Sequence, residues 1–477
     1  LKTKPYRHQA EEFEVSKDAE ARALLWQMRT GKSKLVVDTA CHLWSELAVD
    51  AVLVLAPNGV HSNWTRREFP THGWDDVPWE CLTWRSSRPG MDGEVDAFLR
   101  RAGLPVLTVN SEALIASRVQ RAIKGLLRRG RVMAVFDESH GFRRPGAKRT
   151  RLARTLAKRC SHRRILTGTP VLNSPLHAFS QFELLGPEAL GHRTFADFKR
   201  RYAIEETRRT RAGRMYQAIA DYQNLEELRE RMAPWSSVVL RSDVDDMPEV
   251  VPVDVPVYLS AKQADAYRRL VDEWLCEIDE GSSVEVTDGG PRAMKLRQIL
   301  GGWFYDEAGV AHSVDDDPPR LRALVDLVEG NWPGKTIVWC LFHEDIRRVT
   351  AALRSRGVGC VEYHGRVPAA QRDRNEDLFR EDPGTTAFVG QQQAGGQGLD
   401  LGEADLIAWY SYSSDAIVWE QAQERATRIG GRSVGMAVLH TPDTIEDATL
   451  DVLEGRRARA DMLSGSGLVA LLRATGV

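Results

Sequence analysis

The chain has 477 residues, enough for two or three domains, and its 42% hydrophobic and 28% charged content is that of an ordinary globular protein. No apolar run approaches the roughly 18 residues of a membrane-spanning helix, LKTKPYRHQAEEFE at the start has no apolar signal core, and six scattered cysteines argue against a zinc site. The net charge of −2 hides an asymmetry: 118–164 carries 16 Lys/Arg against two acids, a pattern that suits a polyanion-facing surface and equally a solvated helix face.

In chain order, the first informative stretch is LLWQMRTGKSKLVVDTA, 24–40. Gly31-Lys32-Ser33 running into an apolar segment resembles the end of a phosphate-binding loop, where backbone N–H groups, a lysine and a hydroxyl meet a polyphosphate and Mg2+. The strict pattern has glycine where this chain has Trp26, so the loop alone is a weak signal. Short apolar runs follow at 51–57, 106–110, 132–138 and 163–170, and their length and Val/Ile content predict buried parallel strands. The third run ends in DESH, placing Asp137 and Glu138 where a nucleotide site needs a metal carboxylate and a group to orient water.

From 171 to 240 the sequence is charged and helical in period, as in LEELRERM (225–232), with a basic patch RRTRAGR at 208–214. DVDDMPEVVPVDVP (243–256) predicts a proline-rich crossing segment, followed by a helical stretch to about 300 and a polar loop at 306–319. A second set of strand-like runs lies at 335–342, 360–365, 385–390, 405–411 and 435–440. The tail SGSGLVALLRATGV predicts a short amphipathic helix. Two successive α/β units with parallel sheets are expected.

Taken together, these motifs resemble superfamily 2 DEAD/DEAH-box nucleic-acid motors, and within them the Swi/Snf-type double-stranded-DNA translocases, with compact phage and bacterial members nearest. The resemblance rests on PYRHQ (5–9), the Gly31-Lys32-Ser33 loop, VLVLAPNGVHSNWTRREF (52–69), LTVNSEAL (107–114), VFDESHGFRRPGAKRTRLAR (135–154), LTGTP (166–170), VVLRSDVDDMPEV (238–250), YHGRVPAAQRDRNEDLF (363–379), QQAGGQGLDL (392–401) and QAQERATRIGG (421–431), in the family's order. In that superfamily the Trp26 position need not be glycine. Departures are Arg29 in place of a usual glycine, Thr427 where His is frequent and Gly431 where Gln is frequent.

The resemblance implies two tandem RecA-like domains, an N-terminal ATP-binding domain at 1–185 and a C-terminal helicase domain at 321–455. A helical insertion at 186–240, a linker with a second helical insertion at 241–320 and a tail at 456–477 complete the division. It implies ATP and Mg2+ as ligands and a DNA-dependent ATPase activity. Gln9, Met28, Arg29, Thr30, Gly31, Lys32, Ser33 and Lys34 would contact nucleotide, with Gln9 reading adenine, and Ser33 and Asp137 would hold the metal. Lys32, Asp137, Glu138, Arg425 and Arg428 would be catalytic, the two arginines sharing a helix face and reaching the γ-phosphate. His140, Thr167, Gly168, Thr169, Gly396, Gly398 and Gln421 would couple nucleotide state to DNA. Pro57, Asn58, Asn63, Trp64, Ser111, Arg143, Arg144, Lys148, Arg149, Ala394 and Gly395 would face DNA through sequence-independent backbone contacts. The expected setting is the cytoplasm of a prokaryotic or phage-infected cell, with the motor acting as a monomer away from membranes. Two alternatives remain open at this level: a strand-separating helicase, and a DNA-binding scaffold whose motor is idle.

Overall fold

The computed structural model describes residues 1–453 except 59, 169–173, 210–214, 246, 280–289, 332, 396–398 and 428. The chain divides into two units, Leu1–Asp245 and Asp246–Val477. In the first, strands β1 (Ala21–Trp26), β2 (Ala51–Ala56), β3 (Trp79–Thr83), β4 (Leu104–Asn110), β5 (Val132–Phe136) and β6 (His162–Leu166) precede a hairpin of β7 (Ala203–Arg209) and β8 (Met215–Tyr222). Strand β9 (Ser236–Val239) then returns to the main sheet, whose order is β3-β4-β2-β5-β6-β1-β9 with every pairing parallel.

A parallel sheet must be covered on both faces, so its central strands read as unbroken apolar runs. All six residues of β2, AVLVLA, are buried. Helices α1 (Arg7–Ser16) and α2 (Lys32–Ser45) flank β1 in sequence. The helix Ser117–Leu127 shows how the flanking helices are written: Val119, Ala122, Ile123 and Leu126 form its buried stripe, while Arg118, Arg121 and Lys124 are exposed.

The segment 186–240 was expected to be helical, and the structure corrects this. It holds the helices Phe195–Tyr202 and Leu225–Met232, but also the β7–β8 hairpin and β9. Both hairpin strands are exposed along nearly their whole length, so they lack the apolar alternation by which half-buried strands are recognised.

In the second unit, β10 (Val250–Pro256) and a small hairpin of β11 (Trp303–Tyr305) and β12 (Ala311–Ser313) precede β13 (Thr336–Cys340), β14 (Cys360–Tyr363), β15 (Ala387–Gln391), β16 (Leu406–Trp409) and β17 (Val434–His440). The main sheet has the order β10-β17-β16-β13-β15-β14, again all parallel. The proline-rich crossing segment is therefore an edge strand, paired with β17 from Val250↔Val434 to Pro256↔His440. An edge position tolerates Pro252 and Pro256, which have no N–H to donate. The expected linker with a second helical insertion thus begins as a strand of the second sheet and continues as the helices Ala261–Asp279 and Pro291–Leu300 and the β11–β12 hairpin.

The two α/β units match the RecA-like pair that the resemblance implies. The tail expected to be helical lies outside the described residues, as does most of RRTRAGR. Among the described residues no helix is long and apolar enough to cross a membrane.

Candidate active site

The site in the first unit is assembled at the carboxyl ends of β1, β5 and β6, which are neighbours in the sheet. From β1 the chain turns through 27–31 into α2. Trp26, in the place of the absent glycine, is fully buried as the last residue of β1; its Nε1 donates to Ser237 Oγ of β9 at 2.9 Å. The tryptophan therefore holds the strand in the sheet, and the loop starts after it.

Two loop residues take left-handed backbone, Arg29 at φ 64° and Gly31 at φ 80°. Gly31 suits this conformation, and a Cβ there would stand 1.9 Å from Gln9 Nε2. Arg29 occupies the departure from the family pattern, in a conformation that costs a non-glycine residue on the order of 1 kcal/mol. Thr30 is buried and donates to Gln27 O at 2.7 Å. Lys32 Nζ arches over the loop, donating to Trp26 O at 2.7 Å and Gln27 O at 3.1 Å. Ser33 lies half-buried in the first turn of α2. Gln9 braces α1 against the loop: its Oε1 accepts from Tyr6 N at 2.9 Å and its Nε2 donates to Gly31 O at 3.1 Å. Lys34 is a correction to the expected nucleotide contacts. It is buried, and its Nζ pairs with Asp38 Oδ2 at 2.5 Å, one helical turn on.

Asp137 follows β5 and is 7% exposed. Its Oδ1 accepts from Glu138 N and its Oδ2 from Trp64 Nε1, both at 3.0 Å. Burial, and next the charge of Glu138, push its carboxyl up to about 6, against the pull of the Trp64 N–H and of Lys32. Glu138 stands in left-handed backbone at φ 47°, and its Oε2 lies 3.2 Å from His140 Nδ1. Thr167 Oγ1, just past β6, lies 3.5 Å from the same nitrogen. Gly168 lies against the same loop: a Cβ there would meet Met28 Cγ at 3.3 Å and Met28 N at 3.4 Å, so the turn after β6 packs directly on the turn after β1. Thr169 lies outside the described residues.

The structure brings together Met28, Thr30, Gly31, Lys32, Asp137, Glu138, His140, Thr167 and Gly168. Sequence reasoning missed Gln181, whose Oε1 accepts from Ser139 Oγ at 2.8 Å and ties the DESH turn to the helix His177–Phe182. It also misassigned Trp64. That residue is fully buried with its indole on Asp137, so its side chain does not face solvent as the expected DNA contact would. Ser111 is buried as well, which removes a second expected DNA contact; Pro57 is buried, Asn63 half-buried and Asn58 exposed.

The basic stretch is divided by the fold. Arg149 is engaged internally, with Nη1 on Glu112 Oε1 at 3.0 Å, Nη2 on Gly141 O at 2.5 Å and the guanidinium over the Phe142 ring. Arg143 donates to His140 O at 3.3 Å. Arg144, Lys148 and Arg151 are exposed.

In the second unit, the helix Ala416–Gln423 carries Gln421 but ends before Arg425, which lies in the following turn. The expectation that Arg425 lies on a helix is thereby corrected. Arg425 is 6% exposed and donates from Nη1 to Leu399 O at 3.4 Å. Arg428, Gly396 and Gly398 lie outside the described residues. Ala394 and Gly395 are in the short helix Gln392–Gly395.

The SNF2-related domain family matches residues 9–303, and the helicase conserved C-terminal domain matches residues 319–430. Among curated relatives, the Bos taurus DNA annealing helicase and endonuclease ZRANB3 is 25% identical over 77% of this chain and 32% of that protein. A Caenorhabditis elegans SWI/SNF-related matrix-associated actin-dependent regulator of chromatin subfamily A-like protein 1 homolog is 24% identical over 74% of this chain and 49% of its own length. The chain thus spans a third to a half of these relatives. The solved Sulfolobus solfataricus SWI2/SNF2 ATPase core in complex with dsDNA aligns with TM-score 0.43 and 18% identity, over 100% of this chain and 97% of that one.

Proposed function

This chain belongs to the SNF2-related domain family, and from that premise we propose that it is an ATP-hydrolysing motor that translocates along DNA, mainly double-stranded, to remodel, anneal or branch-migrate it. The observation that carries the reading is the contact of Gly168 with Met28, beside Lys32, Asp137 and Glu138. A phosphate loop, a carboxylate pair and a coupling motif on three adjacent strands form a site whose occupancy one element can sense and relay.

The donor set fits Mg2+ and a polyphosphate: two adjacent carboxylates, one of them pushed up by burial, face a lysine and a left-handed glycine at a helix start. Ser33 and Asp137 would hold the metal, which when bound supplies neutralisation of phosphate charge. Lys32 would leave the loop carbonyls for the phosphates. Glu138 would orient the attacking water and accept its proton, with His140 against its Oε2 holding the carboxylate in place. Arg425 would stabilise charge in the transition state. Exposed Arg144, Lys148 and Arg151 would follow the DNA backbone.

Turnover measured without DNA and with single-stranded, duplex and forked DNA tests this. Strong stimulation, greatest with duplex or forked DNA, is expected; equal rates on all four would overturn the reading. Strand separation is a second reading, favoured by the exposed β7–β8 hairpin, which offers Tyr216 and Arg208 as a cross-strand pair. Displacement of one strand from a forked duplex would support it.

A further inference from the structure

We propose that Trp64 is a positioning residue for Asp137, through which the segment leading from exposed Asn58 to Asn63 controls the metal-binding carboxylate. This rests on the ATP-site reading above. Trp64 is 0% exposed, so no ligand outside the domain reaches it without opening the core. Its single polar atom, Nε1, donates to Asp137 Oδ2 at 3.0 Å, and an indole can only donate. The bond therefore holds that oxygen in one direction.

The backbone around Trp64 is distinctive. Residues Trp64–Glu68 form a π-helical turn, in which Phe69 N donates to Trp64 O, between the short helical pieces His61–Asn63 and Phe69–His72. Such turns occur mostly as single insertions at functional sites. The next residue, Thr65, is tied to Ser62 O at 2.8 Å and to Thr83 Oγ1 of β3 at 2.5 Å. The indole is thus fixed at its base, while the segment leading into it runs from exposed Asn58 through half-buried Val60 to buried His61 and Ser62. A displacement of 57–63 is passed on to the indole N–H by covalent connection and then to Asp137 by one hydrogen bond. The contact offers a physical route between two sites that the family resemblance leaves separate, and by linkage it acts in both directions.

Trp64→Phe tests this, because it keeps a ring in the core and removes only the N–H and part of the volume. Binding of a fluorescent ATP analogue is titrated with Mg2+, and duplex affinity is measured without nucleotide. We expect the Mg2+ concentration for half-maximal nucleotide binding to rise about tenfold, as loss of a hydrogen bond to a charged group implies. Nucleotide binding without Mg2+ and nucleotide-free DNA affinity should stay within about twofold, the scatter of a hydrogen-bond-neutral change. An unchanged Mg2+ dependence overturns the proposal, as does a loss of DNA affinity alone, which would return Trp64 to DNA contact. A parent protein that binds no nucleotide at any Mg2+ concentration would instead overturn the ATP site itself. Should the variant not fold, hydrogen exchange of the parent decides: duplex DNA should slow exchange in both 57–69 and 132–141, and protection confined to the first segment overturns the coupling.

Discussion

Asp137 in the first unit and Asp345 in the second have nearly the same immediate surroundings. Each is a buried aspartate accepting from a tryptophan indole, Trp64 at 3.0 Å and Trp303 at 2.7 Å, and burial pushes each carboxyl up to about 6. The difference lies in what else is near. The second oxygen of Asp345 accepts from Ser411 Oγ at 2.5 Å, that hydroxyl accepts from Leu341 N at 2.8 Å, and the cations Arg320 and Arg348 also act on its charge. Beside Asp137 stand Glu138, on strained backbone, and Lys32, which acts on its charge from the phosphate loop. A buried acid with an indole partner is therefore no sign of chemistry by itself. What sets Asp137 apart is the second acid, Glu138, whose charge adds to burial in pushing its carboxyl up.

The comparison is broken most severely by altering that company. Lys32→Ala should weaken nucleotide binding and turnover together, and Glu138→Gln should keep ATP binding while turnover falls by about 10³-fold or more. Asp345→Asn, by contrast, should leave turnover within a few-fold. Glu138→Gln retaining most of its turnover in a steady-state ATPase assay would remove the water-activating role.

Arg425→Ala comes next. We expect about a 10²-fold loss of DNA-stimulated turnover, below the loss seen for arginine fingers in well-studied NTPases, with ATP binding kept. A loss of tenfold or less would leave Arg425 as a packing residue of its own unit, anchored on Leu399 O.

Asp345 makes a stability prediction. Its folded pKa, about 6, lies above the ordinary 3.8, so the folded state holds the proton more tightly. The stabilisation is fully present below about pH 4 and is lost as pH rises through 6, amounting to at most about 3 kcal/mol. Denaturant unfolding at pH 4.5 and 7 should show this slope reduced in Asp345→Asn. Trp303→Phe should cost about 1–3 kcal/mol and leave Mg2+ dependence untouched, unlike Trp64→Phe. Equal Mg2+ shifts in the two tryptophan variants would erase the distinction between the units.

The smallest effect concerns DNA. Replacing Lys148 and Arg151 by alanine should flatten the salt dependence of duplex binding by roughly one to two units of slope, each neutralised phosphate contributing about 0.9. Arg149→Ala should change the slope less, because that side chain is engaged with Glu112 and Gly141 O.

What was legible in the sequence was what is local. Gly31-Lys32, Asp137-Glu138 and the LTGTP run carry their chemistry within a few residues, and parallel strands such as β2 announce themselves as apolar runs. What was not legible depended on partners far along the chain. Nothing within 57–69 says that Trp64 turns inward to residue 137, and nothing within 24–40 says that Trp74 donates to Asp38, the partner of Lys34. The count of cations in 118–164 was correct, but folding decided which of them remain exposed. The β7–β8 strands and β10 escaped because an exposed hairpin and a proline-bearing edge strand show neither periodicity.

Strand β9 has a consequence for how the protein is made. Gln27 N donates to Val239 O at 2.9 Å, Arg241 N donates to Gln27 Oε1 at 2.6 Å, and Trp26 reaches Ser237. The residues that launch the phosphate loop are thus sewn to a strand that leaves the ribosome more than 200 residues later. A nascent chain, or a fragment cut at 185, has every loop residue and still lacks the strand that holds them. The earliest-written part of the site is among the last to be finished.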